Sequence, residues 1–249
     1  FIMKKVLVLL MVAVMVMGTL SGCSSKDRAS SNKKFKIGIV QPMDHPSLNT
    51  IKEAIVSELE ADGMKDQIEI VFENANGDAS LLPTIMQSLI SDGVDMIVPI
   101  ATNTAQAAAA ATTTIPIVFA AVSNPVEAGL VTSLAVADAN ITGVSDSIAI
   151  EDIFALAVEL TPEVKTFGFV YNSSEINSST GIERAKAYCD ANGLAYKEAT
   201  ITSTADIQQA AASLVGEVDA FFTPIDNTVA SAMPVYVQVA IGRASCRER

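Results

Sequence analysis

Three short polar loops carry the side chains best suited to chemistry in this chain. Thr102-Asn103-Thr104 opens an Ala-rich helical stretch after an apolar run. Hydroxyls and free backbone N–H groups at such a helix start can hold a carboxylate. Asn172-Ser173-Ser174-Glu175, with Asn177-Ser178, follows a second run, Thr166 to Tyr171, and Asp226-Asn227-Thr228 follows a third, Asp219 to Thr223. Helix capping explains any one of these loops taken alone. Their shared placement is what matters: hydroxyls for an anion and the Asp226 carboxylate for a cation suit a zwitterion, an amino acid being the simplest case.

The rest of the chemistry is sparse. There is no phosphate loop, no dinucleotide-binding glycine fingerprint and no nucleophile elbow. The one histidine, His45, lies in a loop after the first apolar run, where a neutral loop role or a ligand contact fits better than a general base. Glu151-Asp152 precedes a helix and favours its positive end, with no need of a catalytic role. Of three cysteines, Cys23, Cys189 and Cys246, the second falls on a helix as a buried free thiol, and no spacing suggests a disulfide framework or a metal site. No catalytic residue, cofactor or metal is expected. The formal charge of −12 argues against nucleic acid as a partner.

The N-terminus points to a compartment. Lys4 and Lys5 precede the apolar run Val6 to Met17, which is too short to span a bilayer, and small residues follow. Leu20-Ser21-Gly22-Cys23 resembles a bacterial lipoprotein processing site. The resemblance implies cleavage before Cys23 and a diacylglycerol thioether on it, an anchor on the extracytoplasmic face of the cell membrane. Residues 1–22 then form the signal peptide and 23–34 a flexible Ser/Lys-rich tether. The mature chain loses two lysines and no acid, which takes the charge to −14.

The elements that must position the loops alternate between short β-branched runs and stretches of helical period, which predicts an α/β fold with parallel sheets. Strands are expected at Lys36–Gln41, Gln67–Phe72, Val94–Ala101, Ile115–Ala120 and Ile141–Ser145. The first helix places Leu48, Ile51, Ile55 and Leu59 on one face and stops at Gly63. The next, capped by Asp78 or Ser80 with Pro83 in its first turn, buries Ile85, Met86, Leu89 and Ile90. A third runs from about Thr104 to Thr113. The second half echoes the first: Gly38 within KIGIV matches Gly168 within TFGFV at a shift of 130, and VDMIVPIATNTAQAA from Val94 matches VDAFFTPIDNTVASA from Val218. Two similar lobes follow, residues 35–145 and 146–240, with the strand ends of each facing one cleft. After a helix from Val229 to Ala240, residues 241–249 are polar and basic and are expected to be a non-native end, leaving the second lobe truncated.

The runs GIVQPMDHPSLNTIKEAI, PIATNTAQAAAAATTTIPIVFAAVSNPVEAGLV, ITGVSD, FGFVYNSSEINS and FFTPIDNTVAS resemble the substrate-binding lipoproteins of bacterial ABC importers with a type I periplasmic-binding fold. The subgroup is associated with hydrophobic or aromatic amino acids. That resemblance implies two Rossmann-like lobes closing on a ligand, with a first crossover near Gly143 to Asp146, and a membrane permease as partner. Carried over by motif, the first-lobe contacts are His45, Ser47, Thr102, Asn103, Thr104, Ser123 and Asn124. Those of the second lobe are Asn172, Ser173, Asn177, Ser178, Asp226, Asn227 and Thr228. A sensory receptor for a membrane kinase shares the fold, and a membrane-tethered enzyme is the more distant alternative. The lack of Trp speaks against a sugar ligand, and Tyr171 is suited either to stacking on a ligand or to packing.

Overall fold

The computed structural model describes residues 33–136 and 139–241. The signal segment, Cys23, most of the tether and the tail from Gly242, Cys246 included, lie outside the described residues.

The first lobe is a parallel sheet of β1 (Phe35–Gln41), β2 (Ile68–Asn74), β3 (Met96–Pro99), β4 (Ile117–Val122) and β5 (Ile141–Ser145), in the order β2-β1-β3-β4-β5. Helices α1 (Pro46–Ala61), α2 (Leu82–Ser91) and α3 (Thr102–Ala111) connect its strands, and Asp78 caps the 3-10 turn Ala79–Leu81 that leads into α2. A sheet covered on both faces needs strands that are apolar on both, which is why β1 reads as a nearly unbroken apolar run. Val40, Ile97 and Phe119 face Met86 and Leu89 of α2, while Ile37, Ile39 and Val98 face Leu48, Ile51, Ile55 and Leu59 of α1.

The second lobe is a smaller parallel sheet of β6 (Thr166–Asn172), β7 (Ala195–Ile201) and β8 (Ala220–Phe222), ordered β7-β6-β8. Around it lie α4 (Ile150–Leu160), α5 (Ile176–Ala191), α6 (Ile207–Leu214), α7 (Asn227–Ser231) and α8 (Met233–Ile241). Its core is aromatic: the Phe154 ring lies 4.7 Å from that of Phe167 and 4.8 Å from that of Phe222, centroid to centroid. Cys189 is buried there as a free thiol.

The sequence echo becomes physical in these cores. A Cβ on Gly38 would come within 2.9 Å of Leu89 and 3.4 Å of Val94, and one on Gly168 within 2.9 Å of Val218, the counterpart of Val94. The paired aspartates do the same work in each lobe. The Asp95 carboxylate accepts the Lys36 N–H at 2.8 Å, and the Asp219 carboxylate accepts the Thr166 N–H at 2.9 Å.

Three expectations need correction. The helix predicted from Val229 to Ala240 breaks at Ala232 into α7 and α8, because Pro234 in the first turn of α8 has no N–H and its ring is incompatible with the carbonyl four residues back. The third strand is shorter than Val94–Ala101, ending at Pro99, and α3 begins two residues earlier than its propensity suggested. Both changes bring Ala101 and Thr102 to the mouth of the sheet.

Candidate functional site

The carboxyl ends of both sheets meet across a cavity of ≈ 200 Å³. The first lobe contributes His45, Ser47, Leu48 and Ile51 from the start of α1, Ala101 and Thr102 from the start of α3, Ala121 near the end of β4, Ser123 just beyond it, and Asp146 beyond β5. Facing them are Asn177 of α5, Pro224 to Asp226 between β8 and α7, Asn227 and Ala230 of α7, and Met233 of α8. Leu48 and Ile51 from the first lobe and Pro224, Ile225 and Met233 from the second supply its larger apolar side chains. The rest of the described lining is Ala101, Ala121, Ala230 and polar residues, with no Lys or Arg among them.

The two lobes present opposite electrical characters at equivalent positions. In the second, Asp226 caps α7, accepting the Val229 N–H at 2.8 Å. In the first, the residue before α3 is Ala101, and no side chain caps the helix. Asn103 takes the Thr104 N–H on its side-chain oxygen at 2.9 Å, and the positive end of a ten-residue helix without an N-cap side chain lies at the cleft, a place for an anion. Ala101 has φ 74° and ψ 166°, a backbone region that is essentially glycine's own and costs an alanine about 1–3 kcal/mol. Ala121, at the irregularity where β4 leaves its register with β5, also has positive φ, 54°. Two strained residues thus flank the cavity on the first-lobe side.

The second-lobe side is acidic. Asp226 is 3% exposed, and its other oxygen accepts the Asn172 N–H at 2.6 Å. Glu175 is 5% exposed and receives the N–H groups of Asn227 and Thr228 at 3.1 Å each, the Asn227 amide at 2.7 Å and the Thr228 hydroxyl at 2.8 Å. Burial first, and then the neighbouring Glu175 charge, push the Asp226 carboxyl up to about 6. Burial likewise pushes the Asp146 carboxyl above its usual range, against a hydrogen bond from Ser123.

Of the residues singled out in the sequence, His45, Ser47, Thr102, Ser123, Asn177, Asp226 and Asn227 line this cavity. Asn103, Asn172 and Thr228 line an adjoining polar opening of ≈ 720 Å³, together with Glu175. Asn124 borders a small crevice beside the crossover, and its side-chain oxygen accepts the Val126 and Glu127 N–H groups. Thr104, Ser173 and Ser178 line none of these spaces. The Thr104 hydroxyl donates to the Ile100 and Ala101 carbonyls, that of Ser178 donates to the Ile225 carbonyl, and Ser173 is exposed. His45 is the N-cap of α1, its Nδ1 accepting the Ser47 N–H at 3.2 Å. Tyr171 packs in the second-lobe core with its hydroxyl donated to Glu198, away from the cleft.

The sequence reading missed Leu48, Ile51, Ala101, Ala121, Asp146, Glu175, Met233 and the Pro224-Ile225 step as parts of the cleft. Leu48 and Ile51 belong to the core stripe of α1 and also line the cleft. The clue to Asp146 was its position at the crossover, where a chain passing between lobes must skirt the cleft.

Two parallel α/β lobes with a mixed polar and apolar cavity between their strand ends define a solute receptor of the type I periplasmic-binding architecture. The chain belongs to the family described as ABC transporter substrate binding protein, which residues 36–244 match; it is a family of solute-binding proteins, not of enzymes. A protein of Clostridioides difficile named tyrosine-binding protein is 38% identical over 95% of this chain and 72% of its own length. A Streptococcus pneumoniae ABC domain solved in complex with L-Trp is 40% identical, with a TM-score of 0.79 over 83% of this chain and 70% of that one. A ligand-free, open substrate-binding protein from Clostridium difficile, also 40% identical over 83% of this chain and 71% of that one, gives a TM-score of 0.58. At equal identity and nearly equal coverage, the chain superposes better on the relative solved with L-Trp than on the ligand-free, open one.

Proposed function

We propose that this protein captures an aromatic or hydrophobic amino acid between its lobes and delivers it to the permease of an ABC importer, while anchored to the membrane through a lipid on Cys23. The cleft supports this reading: a helix start without an N-cap side chain for a carboxylate, carboxylates without a basic residue among the lining for an ammonium, and the apolar side chains of Leu48, Ile51, Pro224, Ile225 and Met233 for the ligand's side chain. A small number of placed polar groups in a mostly apolar pocket is the usual form of such a site. The names of the relatives, one for tyrosine and one solved with L-Trp, support the same ligand class.

Calorimetric titration of the purified protein against a panel of aromatic and aliphatic amino acids, sugars and amines tests the ligand. Saturable binding confined to the amino acids is expected, and binding only of uncharged or non-amino compounds would refute it. The anchor is tested separately by metabolic acyl labelling of a Cys23→Ser variant, which should carry no acyl mass and leave the membrane fraction. Retained acylation and retained membrane association would refute the lipid assignment. No helix among the described residues is long and apolar enough to cross a membrane.

A further inference from the structure

Two residues that line the cleft each carry a buried acceptor atom without a partner. Asn177 is 8% exposed, and its amide nitrogen donates to the Ile225 carbonyl at 2.7 Å and to Glu175 at 3.2 Å, while its oxygen receives nothing. Asp146 Oδ1 is likewise buried and unpartnered, although Ser123 hydrogen-bonds to the same carboxylate. Buried acceptors are rarely left empty in a native fold, and an unpaired carboxylate is costlier still. Both residues line the one cavity, Asp146 from the crossover after β5 and Asn177 from α5 of the second lobe. Asp226, the sequence's candidate for a cation, already receives a backbone N–H on each oxygen.

We propose that the ammonium group of the ligand is held by Asp146 and Asn177, with Asp226 shaping the wall behind them. This rests on the amino-acid reading above and adds its charge partner. An ammonium has three N–H donors, and the Asp146 carboxylate and Asn177 carbonyl offer one charged and one neutral acceptor. Because Asp146 belongs to the segment joining the lobes and Asn177 to the second lobe, one ligand group would bridge the crossover and the moving lobe. That couples recognition of the ammonium to closure.

The test is a cycle of two proteins and two probes: the full chain and Asp146→Asn, each titrated with L-tryptophan and with indole-3-propionate, the same acid without its amine. L-tyrosine and 3-(4-hydroxyphenyl)propionate serve as a second pair. The parent should bind each amino acid at least tenfold tighter than its amine-free analogue. Asp146→Asn should lose tenfold or more for the amino acid and little for the analogue. An equal loss for both probes, or no loss, overturns the assignment and leaves the receptor reading intact. If the parent binds neither amino acid, the receptor reading falls and this inference with it. Asp146→Ser provides the same comparison should the Asn variant fail to fold. A selective loss in Asp226→Asn with none at Asp146 would return the ammonium to Asp226 and refute the proposal.

Discussion

The Asp226 carboxylate accepts the backbone N–H of Asn172 at 2.6 Å, joining residues 54 positions apart at the ends of two neighbouring strands. With its other oxygen on the Val229 N–H, the same side chain both caps α7 and fixes the β6 loop against it.

Asparagine cannot repeat this arrangement. It caps a helix about as well as aspartate, but with one oxygen it must turn its amide N–H₂ toward the second backbone N–H. Asp226→Asn should therefore lower stability by about 1–3 kcal/mol, the cost of leaving a buried donor unsatisfied. A fall of several degrees in the thermal midpoint is expected, and an unchanged midpoint would show that only the cap matters.

The raised carboxyl of Asp226 sets a direction for pH dependence. An unperturbed Asp titrates near 3.8, and this one titrates at about 6 in the fold. Between those values the folded protein holds a proton that the unfolded chain has released, so this group makes stability fall as pH rises from about 4 to about 6, with no further change above. Asp146 acts in the same direction. Thermal midpoints measured from pH 7 down to pH 5 should rise in the parent and rise less in Asp226→Asn. Parallel profiles in the two proteins would contradict the assignment.

Ala101 holds a backbone conformation with φ 74° that glycine adopts without a Cβ clash. Relief of about 1–3 kcal/mol of strain exceeds the roughly 0.4–1 kcal/mol that glycine gives back through the unfolded chain. Ala101→Gly should thus raise the thermal midpoint by a few degrees, and a lower midpoint would show that the Cβ contributes packing that outweighs the strain.

Burial, followed by the nearby Asp190 charge, pushes the Cys189 thiol up to about 11. In a variant with Cys23 and Cys246 replaced by Ser, a thiol-specific disulfide reagent at pH 8 should leave the folded protein unlabelled for hours and react fully in denaturant. Rapid labelling of the folded form would mean that α5 opens locally.

Much of this protein was legible before its structure. Alternating apolar periods located the α1 stripe of Leu48, Ile51, Ile55 and Leu59, and the duplicated Gly and Val-Asp motifs announced two lobes, because both signals depend on residues a few positions apart. Pro234 marks the break in the last helix within the sequence itself, because a proline cannot continue a helix already under way. What only tertiary structure decided is which groups are left without partners. Thr104 and Asp226 sit in matching Asn-Thr loops, yet the Thr104 hydroxyl turns back on its own backbone, and the Asp226 oxygens are taken by Asn172 and Val229. Asn177, a candidate from its loop, and Asp146, which was not one, line the cleft and each keep a buried acceptor without a partner. Hydrogen-bond saturation is settled by contacts across the fold, and a side chain's neighbours in sequence carry no record of it.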